Sequence, residues 1–183
     1  PTLSERYPEV EAYSRYWNFT SLVNYEEISH MDEKVHLVDP GFLEIFSFPV
    51  ISGDPLEALS NKSSIVITAS EARKYFGDED PIGQSLKIEQ DTNLSVITGV
   101  MEDFPQNSHF HCKMIGSLST LRESRSTWWV DHNYHTYVVL KEGTDPEEFE
   151  ASLYDMVITY MGPIVVQFLG IDLDQFEAAG HSY

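Results

Sequence analysis

The stretch from Val10 to Asp39 constrains this chain most. It reads VEAYSRYWNFTSLVNYEEI and then KVHLVD, aromatic and β-branched almost throughout. Side chains in a strand alternate between faces. Tyr13, Arg15, Trp17 and Phe19 therefore fall on one face, and Ala12, Ser14, Tyr16 and Asn18 on the other. Thirty residues of this kind form strands that must pair with something. The spacing predicts two or three antiparallel strands, with a turn at HMDEK, residues 30–34.

Punctuation sets out the rest of the chain. Pro8 stops a short helix over residues 3–7. Asp39-Pro40 opens a short helix at GFLEIF, and Asp54-Pro55 repeats the device before LEAL. SSIVITAS (63–70) is a compact strand. Thr68 and Glu71 make a T-x-x-E capping box, so a helix begins at Ala69 or Ser70 and ends at Gly77. QSLKIEQ and LSVITGV form a hairpin, with Leu86 and Ile88 facing inward. HFHCKMIGSL and YHTYVVLK read as two more strands. Asp145-Pro146 starts the longest helix, with Phe149, Leu153, Met156 and Tyr160 on one stripe, and Gly162-Pro163 ends it. IVVQFLGI and LDQFEAAG are short helices or turns. The fold class is α+β, its helices segregated from its strands.

Composition excludes several functions. With 30 acidic and 11 basic residues the net charge is −19, which repels phosphate backbones and anionic membrane faces; nucleic acid is not an expected partner. Hydrophobic residues make up 42% of the chain, enough for a real core. One cysteine, Cys112, cannot form an internal disulfide. The longest apolar run, YMGPIVVQFLGI, is broken by Gly162 and Pro163 and falls short of the ~18 residues of a membrane span. The chain opens on Pro1, and we expect it to be a piece of a longer protein whose anchoring segments lie outside it.

Three groups of residues carry candidate chemistry. In NSHFHC, His109 and His111 would share a strand face and converge on one ion, with Cys112 on the other face. Zinc needs three or four ligands, and Asp131, His132 and His135 are the available supplements. Against a metal stands the alternative of sheet histidines with ordinary hydrogen bonds. Trp128-Trp129 offers a platform for a sugar or a protein partner; the alternative is core packing. The paired acids Glu26-Glu27 and Glu147-Glu148 lie in polar contexts. No G-x-S-x-G elbow, phosphate-binding loop or Ca²⁺ loop is present.

A run of ordered motifs adds a resemblance. Val38-Asp39-Pro40-Gly41-Phe42 is followed by F-x-x-x-x-G-D over Phe48 to Asp54. Then come a Ser64–Thr68 strand and A-x-x-Y-F-G from Ala72 to Gly77. The Pro81-Ile82-Gly83 turn, the strand ending Thr98-Gly99-Val100 and D-x-P-x-N-S-H from Asp103 to His109 complete the series. Together these resemble the MacB-like periplasmic core domain of ABC transporter permeases, in its Bacteroidetes-type variant. That group includes MacB, FtsX and the lipoprotein-releasing permeases.

The resemblance implies a porter-like α/β part built from both chain ends (1–59 and 113–183) and a smaller inserted β-rich lobe (60–112). It implies a domain on the periplasmic side of the bacterial inner membrane, anchored by transmembrane helices outside this chain. Its partners would be those helices, a cytoplasmic ATPase, a second permease copy and a periplasmic adaptor. The role it implies is non-catalytic, needs no cofactor, and couples ATP-driven movement to the handling of substrate or partner. The motif residues then read as structural, and Asn107-Ser108-His109 as a turn. A metal-dependent hydrolase using His109 and His111, or a ligand-binding module using Trp128 and Trp129, are the alternatives.

Overall fold

The aromatic stretch folds as one long hairpin: β1 (Val10–Tyr25) and β2 (Ile28–Val38) pair antiparallel down to Tyr25 opposite Ile28. The tip is Glu26-Glu27, with Glu26 in the left-handed region at φ 49°. The turn expected at 30–34 is therefore strand. His30 sits opposite Val23 and Glu33 opposite Ser21, and a bulge between Ser21 and Val23 takes up the register. The structure, a computed structural model, describes residues 2–89, 94–126 and 134–180. The remaining elements are α1 (Thr2–Arg6), α2 (Phe42–Ile45), β3 (Val50–Ser52), β4 (Ser64–Thr68), α3 (Ala69–Phe76), β5 (Ser85–Ile88) and β6 (Leu94–Met101). Then follow β7 (Met114–Ser117), two short 3-10 turns (Leu118–Thr120, Arg122–Arg125), β8 (His135–Leu140), α4 (Pro146–Tyr160), α5 (Gly162–Leu169) and α6 (Leu173–Ala178).

Contacts divide the chain into two units. The larger holds Ala12–Ser126 and Tyr134–Val139, and the smaller the described parts of Pro1–Glu11 and Leu140–Tyr183. Strands from residues 60–112 hydrogen-bond directly to the N-terminal hairpin and to β7.

In the larger unit the strand pairing runs in a closed circuit. β2 pairs parallel with β7, β7 antiparallel with β4, β4 parallel with β6, and β6 antiparallel with β5. β5 returns to β1 through Val23 opposite Ile88 and Asn24 opposite Lys87. β8 flanks β1 and β3 flanks β6. The sheet is thus mixed rather than antiparallel throughout, because β4 and β6 flank a helical crossover. Alternation along each strand fills two cores. Ile65 and Ile67 of β4, Leu37 of β2 and Met114 of β7 meet Tyr75 and Phe76 of α3. Val66, Val38 and Ile115, their neighbours in sequence, meet Phe42 and Leu43 of α2, Leu59 and Phe110. Leu59 and Leu86 are fully buried, each stabilising by roughly 1.5–3 kcal/mol.

Caps and locks position these elements. The Thr68 hydroxyl accepts the Glu71 N–H at 3.4 Å, the first half of the capping box. The second half is missing, because the Glu71 carboxylate turns to Lys74 and Lys113. Gly77 closes α3 at φ 63°. The Asp39 carboxylate does not cap α2. Arg15 holds it through its backbone N–H (2.9 Å), Nε (2.9 Å) and Nη2 (2.8 Å). Gly53 has φ 94°, and a Cβ there would lie 2.4 Å from the Thr98 carbonyl oxygen.

In the smaller unit, Asp145 caps α4 by accepting the N–H groups of Glu147 (2.9 Å) and Glu148 (3.3 Å). Tyr7 packs edge-on against Phe149 at 5.6 Å and donates its hydroxyl to the Ser152 carbonyl at 2.9 Å. Phe149 is buried and Leu153, Met156 and Tyr160 are half-buried, as the stripe predicts. α4 ends at Tyr160, just before Gly162-Pro163, and IVVQFL lies in a second helix. Pro163 lies in the first turn of α5, where its missing N–H costs nothing, and the axis bends by 42° from α4. Among the described residues no single helix is long and apolar enough to cross a membrane.

Candidate functional site

The register of the hairpin assembles a groove on one of its faces. Asn18 lies directly opposite His36, and Thr20 opposite Lys34. Tyr16, two residues before Asn18, shares that face. The segment 109–112 supplies the other wall. It is not the strand the sequence suggested, since β7 starts only at Met114. The Ser108 side chain accepts the Phe110 N–H at 3.1 Å and turns the chain locally instead. Phe110 and Cys112 then bury into the core, while His109 and His111 are exposed. The groove holds about 290 Å³ and is lined by Tyr16, Asn18, Phe19, Thr20, Lys34, His36, His109 and His111.

Each histidine has its own environment. His36 is 4% exposed; one ring nitrogen, Nε2, lies 3.3 Å from the Tyr16 hydroxyl. The other, Nδ1, is buried with no partner among the described residues. Burial, reinforced by the Lys34 ammonium, pushes the His36 pKa down to about 4, so the ring is neutral at pH 7. An unpartnered buried nitrogen costs about 1–3 kcal/mol. His109 stacks on Phe110 at 3.9 Å, with Nε2 3.2 Å from the Tyr137 hydroxyl. It borders an aromatic cluster of Phe46, Phe48, Phe104, Phe110 and Tyr137. Burial raises the Tyr16 and Tyr137 phenols above their ordinary value.

The structure thus brings His109 and His111 together with His36, which the sequence reading did not single out. Among the described residues no group of three or more His, Cys, Asp and Glu is placed to hold an ion. Lys34 lines the same groove and repels a cation. The Cys112 thiol is buried and pushed well up by desolvation, the opposite of a ligand or nucleophile. His135 sits beside Tyr16, ring to ring at 5.8 Å. Asp131, His132, Trp128 and Trp129 lie outside the described residues.

Two other features stand out in the larger unit. A cavity of about 420 Å³ borders the first core, with an apolar wall that includes Trp17, Phe19, Leu37, Ile65, Ile88 and Leu121. Ser63, Thr120, Arg122 and Glu123 are among its polar residues. A charge cluster joins Glu33 of β2 and Glu71 of α3 to Lys74 and Lys113. Lys74 contacts Glu33 closely and Glu71 at 3.1 Å, and Lys113 reaches them at 2.9 and 3.3 Å. Burial works to raise the Glu33 carboxyl, but hydrogen bonds from Lys74 and Lys113 outweigh it and hold it below its ordinary value. Two negative and two positive charges cancel, so the cluster fastens α3 to the sheet.

The sequence profile of the MacB-like periplasmic core domain matches residues 1–155. The chain belongs to this family. The MacB-like domain is similar in structure to a domain described as part of a permease from Porphyromonas gingivalis. That similarity has TM-score 0.76 and 30% identity over 87% of this chain and 68% of the other. The fold is shared with the periplasmic region of MacB from Actinobacillus actinomycetemcomitans (TM-score 0.66, 13% identity, 86% and 70% covered). It is shared too with the extracellular domain of the noncanonic ABC-type transporter YknZ from Gram-positive bacteria (TM-score 0.57, 14% identity, 92% and 81% covered). No curated protein matched by sequence. The MacB-like domain is of the type carried by ABC transporter permeases.

Proposed function

We propose that this MacB-like domain works as a non-catalytic extracytoplasmic part of an ABC transporter permease, converting ATP-driven movement into handling of a substrate or partner on the periplasmic side. The family match over residues 1–155 carries the reading. The packing supports it. In the larger unit Arg15–Asp39 and the four-charge cluster tie sheet, loop and helix together, as suits an element that moves as a body. In this proposal the domain is anchored by transmembrane helices of its own permease and served by a cytoplasmic ATPase. A second permease copy and a periplasmic adaptor are further proposed partners. Trp128 and Trp129 are proposed, on sequence alone, as contact residues.

The test uses the full-length permease with its ATPase in proteoliposomes. Removal of the domain should leave basal ATP hydrolysis within about two-fold and abolish substrate transfer. Unchanged transfer, or turnover of substrate by the isolated domain without ATP, overturns the proposal.

A further inference from the structure

We propose that the hairpin groove is a binding site for a small oxyanion, the carboxylate or phosphoryl group of a small solute. Three observations carry it. The register sets Asn18 against His36 and Thr20 against Lys34, so amide, imidazole, hydroxyl and ammonium groups face one space. His109 and His111 close the other side, and among the described residues no lining side chain is acidic. Lys34 makes no ion pair among the described residues, whereas Lys74 and Lys113 are both held by carboxylates. Among the described residues the groove therefore has a cation and several polar groups without a built-in counter-charge.

The alternatives fit less well. A metal ion would face the Lys34 ammonium and find no carboxylate among the described lining residues. An apolar ligand would bury the Lys34 ammonium without a counter-charge. At about 290 Å³ the space is at the small end of ligand pockets, which suits a compact charged group. An oxyanion accepts several charge-assisted hydrogen bonds at once, and those bonds are the strong ones.

The site is tested by titrating the purified chain with inorganic phosphate and, separately, with acetate, against sodium chloride at matched ionic strength. The readouts are the Asn18 side-chain amide and the His36, His109 and His111 imidazoles by ¹H–¹⁵N NMR. Saturable shifts with either anion and none with chloride are expected. Tighter phosphate binding assigns a phosphoryl group, and tighter acetate binding a carboxylate. Lys34→Gln, an exposed substitution, should weaken binding about ten-fold. Lys62→Gln, which removes the same charge elsewhere, should leave it unchanged. Absence of saturable shifts with both anions overturns the proposal, as does equal weakening by the two lysine variants. Stoichiometric Zn²⁺ binding to the three histidines that survives Lys34→Gln also overturns it, in favour of a metal.

Discussion

Glu33 is the most revealing residue to remove. It is 2% exposed and lies between Lys74 and Lys113, which Glu71 also contacts. Glu33→Ala leaves two ammonium groups sharing one carboxylate. Breaking a fully buried pair costs about 3–5 kcal/mol, most of it the stranded charge. Here the lysines are 25% and 46% exposed, so water recovers part of that loss, and Glu71 stays within 3.1 Å of one and 3.3 Å of the other. The expected destabilisation is about 2–3 kcal/mol. For a chain of this size that lowers Tm by roughly 5–10 °C. Linkage gives a second signature. Because the folded pKa lies below the ordinary 4.5, the stability from Glu33 is present above that value and lost as pH falls through the folded pKa. Urea unfolding followed by circular dichroism at neutral and acidic pH measures both effects. The gap between wild type and variant should be full at pH 7 and narrow below the ordinary carboxyl range. A neutral-pH loss under about 0.5 kcal/mol, the size of an exposed ion pair, refutes the reasoning. So does a gap that does not change with pH.

Four further outcomes are expected. Gly53→Ala should destabilise by more than about 2 kcal/mol in the same assay, since the new Cβ meets the Thr98 carbonyl at 2.4 Å on a backbone with φ 94°. Thr68→Ala should cost about 1 kcal/mol from the lost helix cap. The His36 imidazole should titrate near pH 4 by NMR; because unfolded histidine binds its proton near 6.5, stability should decline as pH falls between those values, and His36→Gln should flatten that slope. Cys112 should resist thiol reagents in the folded chain and react on unfolding in urea, as its burial and raised pKa dictate.

Local signals in the sequence were sound at several helix ends. Thr68, Gly77 and Asp145 cap where their chemistry says. The alternation in Val10–Asp39 gave the strands. It did not give their turn, because Glu26 takes a left-handed conformation that Gly or Asn usually supplies. That single displacement also hid the site. With the turn at 30–34, Asn18 and His36 do not pair; with Tyr25 opposite Ile28, they do. Tyr16, Asn18, Lys34 and His36 were therefore missed, although their alternate spacing put each pair on a common face. His109 and His111 were found by composition, but for a strand that Ser108 diverts. The parallel pairings of β2 with β7 and β4 with β6 join residues far apart in sequence, and no local pattern announces them. Asp39 shows the converse. Its Asp-Pro context predicts a cap, and Arg15, 24 residues earlier, claims the carboxylate instead.

The strand circuit closes between β1 and β5 through only two described residue pairs, Val23 with Ile88 and Asn24 with Lys87. The hairpin itself is zipped by nine. A ring opens at its thinnest seam, so the amides there should exchange with solvent by a local, sub-global opening while those of β4 wait for global unfolding. Closing that seam joins parts of the chain more than sixty residues apart, against a loop-entropy cost the hairpin does not meet. The hairpin should thus form early in folding and the ring late.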